Sequence, residues 1–243
     1  MTVKIALVTG AGREAGMGFA VARELAAQGF YVVLSARDEG SVEPLAALLR
    51  REGHQAGTLR VDLSDPASLR EAAGRLDKDF GRLDVLINNA AAMPDFGVTD
   101  ALDADMDRVR TALEVSVLGP WALVQELLPL LKAAPAARIV NITSQSAQQI
   151  ATGLDLGAPL RTPAHSMAKY MLNALTGVLG RALADTPILV NAVDPGTTAT
   201  HPESGDESDK RSATDSARDI VRAATLGPDG PTGQLLKGGH TTT

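Results

Sequence analysis

The chain has no cysteine, few aromatic residues and no apolar run of membrane length, and each shortage excludes a class of protein. Without cysteine there is no disulfide framework, thiolate metal site or thiol nucleophile, which suits a reducing cytoplasm. With 3% of residues aromatic, a deep stacking pocket for a large planar molecule is disfavoured, and a smaller or aliphatic one walled by Met93, Phe96 and Trp121 is expected. The histidines outside position 165 are scattered: His54 precedes a strand, His201 lies in a polar loop and His240 in the tail. That spacing holds no metal. Apolar runs such as 139–142 are far shorter than the roughly 20 residues of a membrane helix, and the N-terminus lacks a signal-peptide pattern. The 23 basic residues, against 29 acidic, form no stripe, so a net charge of −6 offers nothing to nucleic acid or an anionic membrane. These features describe a soluble, cytoplasmic protein whose partner is a small molecule.

What is present is an alternation. Short β-rich runs at 4–9, 31–35, 54–62 and 85–88 are each followed by an amphipathic run, at 18–28, 42–52, 66–80 and 106–131. The second half continues with 138–143, 163–183, 189–194, a short helix near 215–224 and a last strand near 233–236. This is the pattern of βαβ units and predicts an α/β fold, a doubly wound, mainly parallel sheet of Rossmann type. No composition break divides the 243 residues, so 1–243 reads as a single domain. Residues 197–216 are polar with almost no large apolar side chain, and predict a mobile substrate loop within it. Residues 145–162 are also expected to be irregular.

After the first strand comes Thr9-Gly10-Ala11-Gly12-Arg13-Glu14-Ala15-Gly16-Met17-Gly18, opening into a helix. Glycines there allow a tight turn and close approach to a pyrophosphate, while helix N-terminal amides point at its charge. The second strand ends Ser35-Ala36-Arg37-Asp38. A guanidinium at that end suits the 2′-phosphate of NADP and a carboxylate the ribose hydroxyls of NAD, so Arg37, with Arg13, favours NADP(H), while Asp38 speaks for NAD and a solvated surface role for Arg37 remains open.

Taken together, the motifs resemble the short-chain dehydrogenase/reductase family over essentially the whole chain. They are the Thr9 to Gly18 loop, Asp62-Leu63, Asn88-Asn89-Ala90-Ala91, Ile139-Val140-Asn141-Ile142-Thr143-Ser144, and Asn191 to Pro195-Gly196 with Thr200. The arrangement Val115-Ser116-Val117-Leu118-Gly119-Pro120, the long span from Ser144 to His165 and the ending Asp229-Gly230-Pro231-Thr232-Gly233 look like the carbonyl-reductase branch. The resemblance implies that Gly10, Gly12, Arg13, Gly16, Met17 and Gly18 cradle the cofactor phosphates, and that Asp62 and Leu63 border the adenine. Asn89 and Ala90 would lie on the ribose side, with Pro195, Gly196, Thr198 and Thr200 at the nicotinamide carboxamide. Ser144 would bond the substrate oxygen, and Lys169 would hold the nicotinamide ribose. Apolar faces on 106–131 and 163–183 would pair with another subunit in a homodimer or homotetramer.

Three departures stand out. Five residues separate Gly10 from Gly16, a spacing longer than the family's and similar to that of the enoyl-thioester reductases. Ser116 stands where the family places an asparagine that anchors a proton-relay water. Finally, the run His165-Ser166-Met167-Ala168-Lys169 has His165 where the family carries its proton-donating tyrosine. The four-residue spacing puts residues 165 and 169 on one helix face. Tyr170 is turned by about 100° from it, and Tyr31 begins a strand. Imidazole, with an ordinary pKa of about 6.5 against about 10 for phenol, is a competent acid or base near neutrality. Lys169 and an oxidised nicotinamide both disfavour imidazolium. Three readings stay open: an NADP(H)-dependent oxidoreductase acting on a carbonyl or imine, with Ser144 polarising, His165 moving the proton and Lys169 fixing the ribose; a non-redox cyclase, isomerase or lyase using His165; or a catalytically silent dinucleotide-binding protein.

Overall fold

The computed structural model describes residues 3–151, 162–200, 209–237 and the backbone of 240–241. In chain order the strands are β1 (Ile5–Thr9), β2 (Tyr31–Ala36), β3 (Ala56–Arg60), β4 (Val85–Asn88), β5 (Arg138–Ile142), β6 (Leu189–Asp194), β7 (Thr198–Ala199), β8 (Arg211–Ser212), β9 (Gln234–Lys237) and β10 (His240–Thr241). The helices are α1 (Met17–Ala27), α2 (Glu43–Arg51), α3 (Pro66–Phe80), α4 (Met106–Leu113), α5 (Gly119–Ala133), α6 (Gln145–Ala151), α7 (Pro163–Ala182) and α8 (Ala213–Ala224). The main sheet runs β10-β9-β6-β5-β4-β1-β2-β3 and is parallel except where β10 meets β9. The expected α/β doubly wound sheet is therefore the observed one.

Strand β1 shows why helices cover both faces. All five of its residues are buried; Ile5 and Leu7 join one apolar cluster, with α3, α5 and α7, while Ala6 and Val8 join the other, with α1, α2 and α8. A strand apolar at four successive positions, on both of its faces, must be buried on both sides. The chain winds from β1 outward to β3 and then returns to β4 on the other side of β1, which opens a crevice at the carboxyl ends of β1 and β4.

The local signals explain most boundaries. Helix α3 begins with Asp65 accepting from Ala67 N at 2.9 Å and Pro66 in its first turn, and ends at Gly81 with φ 65°. The carboxylates between 100 and 107 act as expected at loop and helix starts, Asp105 accepting from Asp107 N and Arg108 N. Among the described residues no helix is long and apolar enough to cross a membrane.

Three expectations need correction. The helix expected over 106–131 is interrupted by a π-helical turn, Glu114–Leu118, between α4 and α5. The extra residue in that turn puts Ser116 fully inside, a typical use of π-bulges at working sites. Residues 145–151, expected to be irregular, form α6, which the sequence does not announce because only Ala147 along it is buried. The loop expected over 197–216 is structured at both ends. Thr198 and Ala199 pair with Arg211 and Ser212, and α8 starts early because Ser212 Oγ accepts from Asp215 N at 3.0 Å. Its middle, with His201, and the expected substrate-selecting stretch 152–161 lie outside the described residues.

Candidate functional site

The crevice holds a groove of about 590 Å³. Of the residues expected to bind a dinucleotide, Gly10, Gly12, Arg13, Gly16, Met17, Gly18, Arg37, Asp62, Leu63, Asn89, Ala90 and Thr200 line it. Ala36, Val61, Ala91, Ala92, Thr111 and Val115 complete the wall and were not among the residues expected to bind, since alanine, valine and threonine carry no specific binding signal in sequence.

The glycine loop is built to lie against β4. Gly10 has φ 67°, and a Cβ there would fall 2.7 Å from Ala90 Cα. A Cβ on Gly18 would fall 2.6 Å from both Asn89 Nδ2 and Gly10 O. Asn89 itself buttresses the loop: its Nδ2 donates to Thr9 O at 2.8 Å and to Gly10 O at 3.1 Å. Thr9 Oγ1 accepts from the amides of Asn89 and Ala90, both at 3.0 Å. Helix α1 starts at Gly16 with no side-chain cap and no acidic residue in its first turn, so its leading amides are left for an anion in the groove.

At the end of β2, Arg37 is exposed on the groove, while Asp38 turns away: its Oδ1 accepts from Gly40 N at 3.0 Å and its carbonyl from Ser41 Oγ at 2.7 Å. Arg13 is not drawn to Arg37; its Nη2 donates to Thr200 O at 2.7 Å across the groove. The Ser64 hydroxyl, then its amide and the charges of Arg60 and Arg37, hold Asp62 below the usual carboxylate range against the effect of burial.

Pro195, Gly196 and Thr198, expected at the carboxamide, are not part of the groove wall. Thr198 Oγ1 pairs with Ser216 Oγ at 2.9 Å, Pro195 O accepts from Ser216 Oγ and Arg211, and Gly196 turns the chain at φ 71°. Only Thr200 of that segment reaches the groove.

The reactive groups sit where α7 meets the end of β5. Lys169 is 3% exposed and its Nζ donates to Ile142 O at 2.6 Å; Thr143 Oγ1 donates back to Lys169 O at 3.4 Å. These bonds fasten α7 beside Ser144, which is half-buried and accepts from the amide and hydroxyl of Ser146 at 3.2 and 3.1 Å. Burial lowers the Lys169 ammonium from its ordinary 10.5 to about 8.

One turn earlier, His165 is 7% exposed, and its Nδ1 lies 3.4 Å from Ala92 O. A carbonyl only accepts, so Nδ1 carries the proton and Nε2 carries the lone pair. Ser116 enters through the same residue, since its Oγ accepts from Ala92 N at 3.3 Å. Burial first, then the Lys169 charge, push the His165 pKa below 6.5, while the Ala92 carbonyl and Asp95 pull it up. Asp95 was not anticipated. It is a buried carboxylate whose Oδ2 accepts from Ala164 N at 2.7 Å, immediately before His165.

Residues 10–229 match a family described as enoyl-(acyl carrier protein) reductase. The short-chain dehydrogenase anuI of Penicillium roqueforti is 32% identical over 238 residues, covering 93% of this chain and 90% of that protein. A short chain dehydrogenase from Burkholderia cenocepacia, solved in complex with NADP, is 28% identical with a TM-score of 0.82, over 96% of this chain and 95% of that one. A short chain dehydrogenase from Salmonella enterica serovar Typhi shares the fold with a TM-score of 0.85 at 24% identity, over 98% of this chain and 96% of that one. The family match over residues 10–229 and the relative from Penicillium roqueforti show that the chain belongs to the short-chain dehydrogenase/reductase family.

Proposed function

We propose that the protein is an NADP(H)-dependent oxidoreductase that moves hydride to or from a carbon bonded to oxygen or nitrogen in a small molecule, with His165 as its proton-handling group. The observation that carries this reading is the contact of buried His165, one helical turn before Lys169, with the carbonyl of Ala92, a residue of the groove wall.

The groove's residues fit the cofactor. The uncapped first turn of α1 and the bare backbone of Gly10, Gly12 and Gly16 suit a pyrophosphate, and Cβ atoms on Gly10 and Gly18 would collide with the β4 side of the cradle. Arg37 on the groove, with Asp38 folded into its own turn, suits a 2′-phosphate better than free ribose hydroxyls. The NADP complex of the Burkholderia relative supports the same choice. When bound, the nicotinamide supplies or takes the hydride.

Ser144 offers a hydroxyl to the reacting oxygen or nitrogen. Lys169 places positive charge under the site and keeps neighbouring groups from gaining more. His165, neutral and protonated at Nδ1, presents Nε2 as a base. Such a site takes a proton from an alcohol or amine as hydride leaves the carbon. In the other direction it works best on an iminium, which arrives already protonated and needs no acid at position 165. A neutral ketone is the poorer substrate. The assay is NADPH consumption with cyclic imines and ketones, and NADP⁺ reduction with the matching amines and alcohols. Absence of turnover with imines would overturn the imine reading.

The same base-ready His165 favours one alternative, a non-redox elimination or isomerisation in which cofactor is not consumed. Conversion of substrate without change in nicotinamide absorbance would establish it. For assembly, the reading is a homodimer or homotetramer, since Met106, Leu118, Trp121, Met167, Tyr170, Met171 and Val178 leave large apolar side chains exposed along α4, the π turn, α5 and α7. Light scattering after gel filtration tests this.

A further inference from the structure

Asp95 lies in the connection after β4, against the start of α7. It is 2% exposed. Oδ2 takes the Ala164 amide, so the carboxylate caps a helix whose own N-cap residue, Thr162 at φ 53°, makes no side-chain cap. Oδ1 is buried with no hydrogen-bond partner among the described residues. The segment is fastened on three sides: Val98 N donates to Asp95 O at 3.0 Å, Thr162 N to Val98 O at 2.8 Å, and Arg108 Nη1 to Pro94 O at 3.0 Å.

Capping alone does not account for this arrangement. A serine or asparagine caps as well, without burying a charge and leaving one of its oxygens bare. The charge has a use one residue further on. When His165 accepts a proton, a second positive charge enters a buried site that already contains Lys169. The groups around His165 are Lys169 on its own helix, the Ala92 carbonyl, the Ser116 hydroxyl that reaches it through Ala92, and Asp95. Asp95 is the negative charge in that set.

We propose that Asp95 is a positioning residue for the proton step, its bonded oxygen fixing the carboxylate at the head of α7 so that the pair supplies the counter-charge for the imidazolium formed on His165. The proposal rests on the reading that His165 exchanges the substrate's proton. As the substrate's O–H or N–H bond breaks, its electron pair stays on the heteroatom and an Nε2–H bond forms, with no bond to Asp95 made or broken. The pull of Asp95 on His165 acts in the required direction, against burial and Lys169.

The test uses Asp95→Asn, which keeps an oxygen for the Ala164 amide and removes only the charge, with Asp95→Ser as a second uncharged cap. The His165 ring is titrated by NMR in the free protein, its signal identified by its loss in His165→Phe. The expected result is a His165 midpoint lowered by about one pH unit in both variants. Melting temperature and NADPH affinity stay near wild type, and turnover falls about tenfold with little change in KM. An unmoved midpoint, with or without a lower melting temperature, would assign Asp95 to capping alone and overturn the proposal. Full turnover by His165→Phe would instead remove the functional reading beneath it, and the titration reports on Asp95 in either case.

Discussion

Replacing Lys169 with methionine is expected to stabilise the protein below pH 8 while abolishing its chemistry. The ammonium is buried and its pKa falls from 10.5 to about 8. The folded value lies below the unfolded one, so between pH 8 and 10.5 the unfolded chain binds the extra proton and stability rises with pH. The full penalty is present below about pH 8. At about 1.4 kcal/mol per tenfold change in proton affinity it is on the order of 3 kcal/mol. Methionine removes it, fills similar space with an unbranched chain and gives up the bond to Ile142 O, worth about 1.5 kcal/mol for a charged donor. The balance is about 1.5 kcal/mol in favour of Lys169→Met at pH 7, or about 3–6 °C in melting temperature for a chain of this size. By pH 10 the penalty shrinks below about 1 kcal/mol, and the advantage of the variant vanishes. Calorimetric melting of both proteins at pH 7 and 10 measures this as a double difference, so other titrating groups cancel. An equal melting difference at the two pH values would refute the argument that burial of this charge destabilises the fold. Confirmation would mean that Lys169 is kept at the expense of stability, as functional groups often are.

Removing the guanidinium in Arg37→Ala is expected to weaken NADPH binding about 10- to 100-fold, since hydrogen bonds to charged groups contribute about 1.5–3 kcal/mol, while NADH binding changes little; calorimetry with both cofactors decides. Two glycine substitutions should move stability in opposite directions. In Gly119→Ala the new Cβ falls 2.3 Å from Leu63 O, and about 1–3 kcal/mol of overpacking outweighs the gain of about 1 kcal/mol in helix propensity, so melting temperature drops and, through Leu63, NADPH affinity falls. Gly74→Ala in α3 meets nothing within 4 Å and should gain about 0.5–1 kcal/mol. Because His165 titrates below its ordinary value, the rate of a base-dependent oxidation should stay level through neutral pH and fall only below about pH 6.5; a break above pH 7 would contradict the assignment. His165→Tyr should raise or create NADPH-dependent ketone reduction, measured by absorbance, and would abolish a native non-redox reaction.

The sequence by itself determined the architecture and most of the residues that line the crevice groove. Alternating apolar runs and short amphipathic segments specify βαβ winding because burial on both faces is a property of each strand's own residues. Gly10, Gly16, Arg37, Asp62 and Asn89 were legible because a phosphate loop, a strand end and an Asn turn are contiguous motifs whose chemistry is local. The tertiary structure decided the rest, where long-range geometry sets the outcome. The π turn that buries Ser116 depends on how α4 and α5 meet the neighbouring elements, which residue spacing does not encode. Arg13 bonds Thr200, which is 187 positions away in the chain, and so stands across the groove from the segment it faces. His165 was recognised from its position, but its tautomer comes from Ala92, 73 residues away, and its counter-charge from Asp95, which no motif marks. A side chain's identity is written in the sequence. Its proton affinity is set by burial and neighbouring charge, and these exist only once the chain has folded.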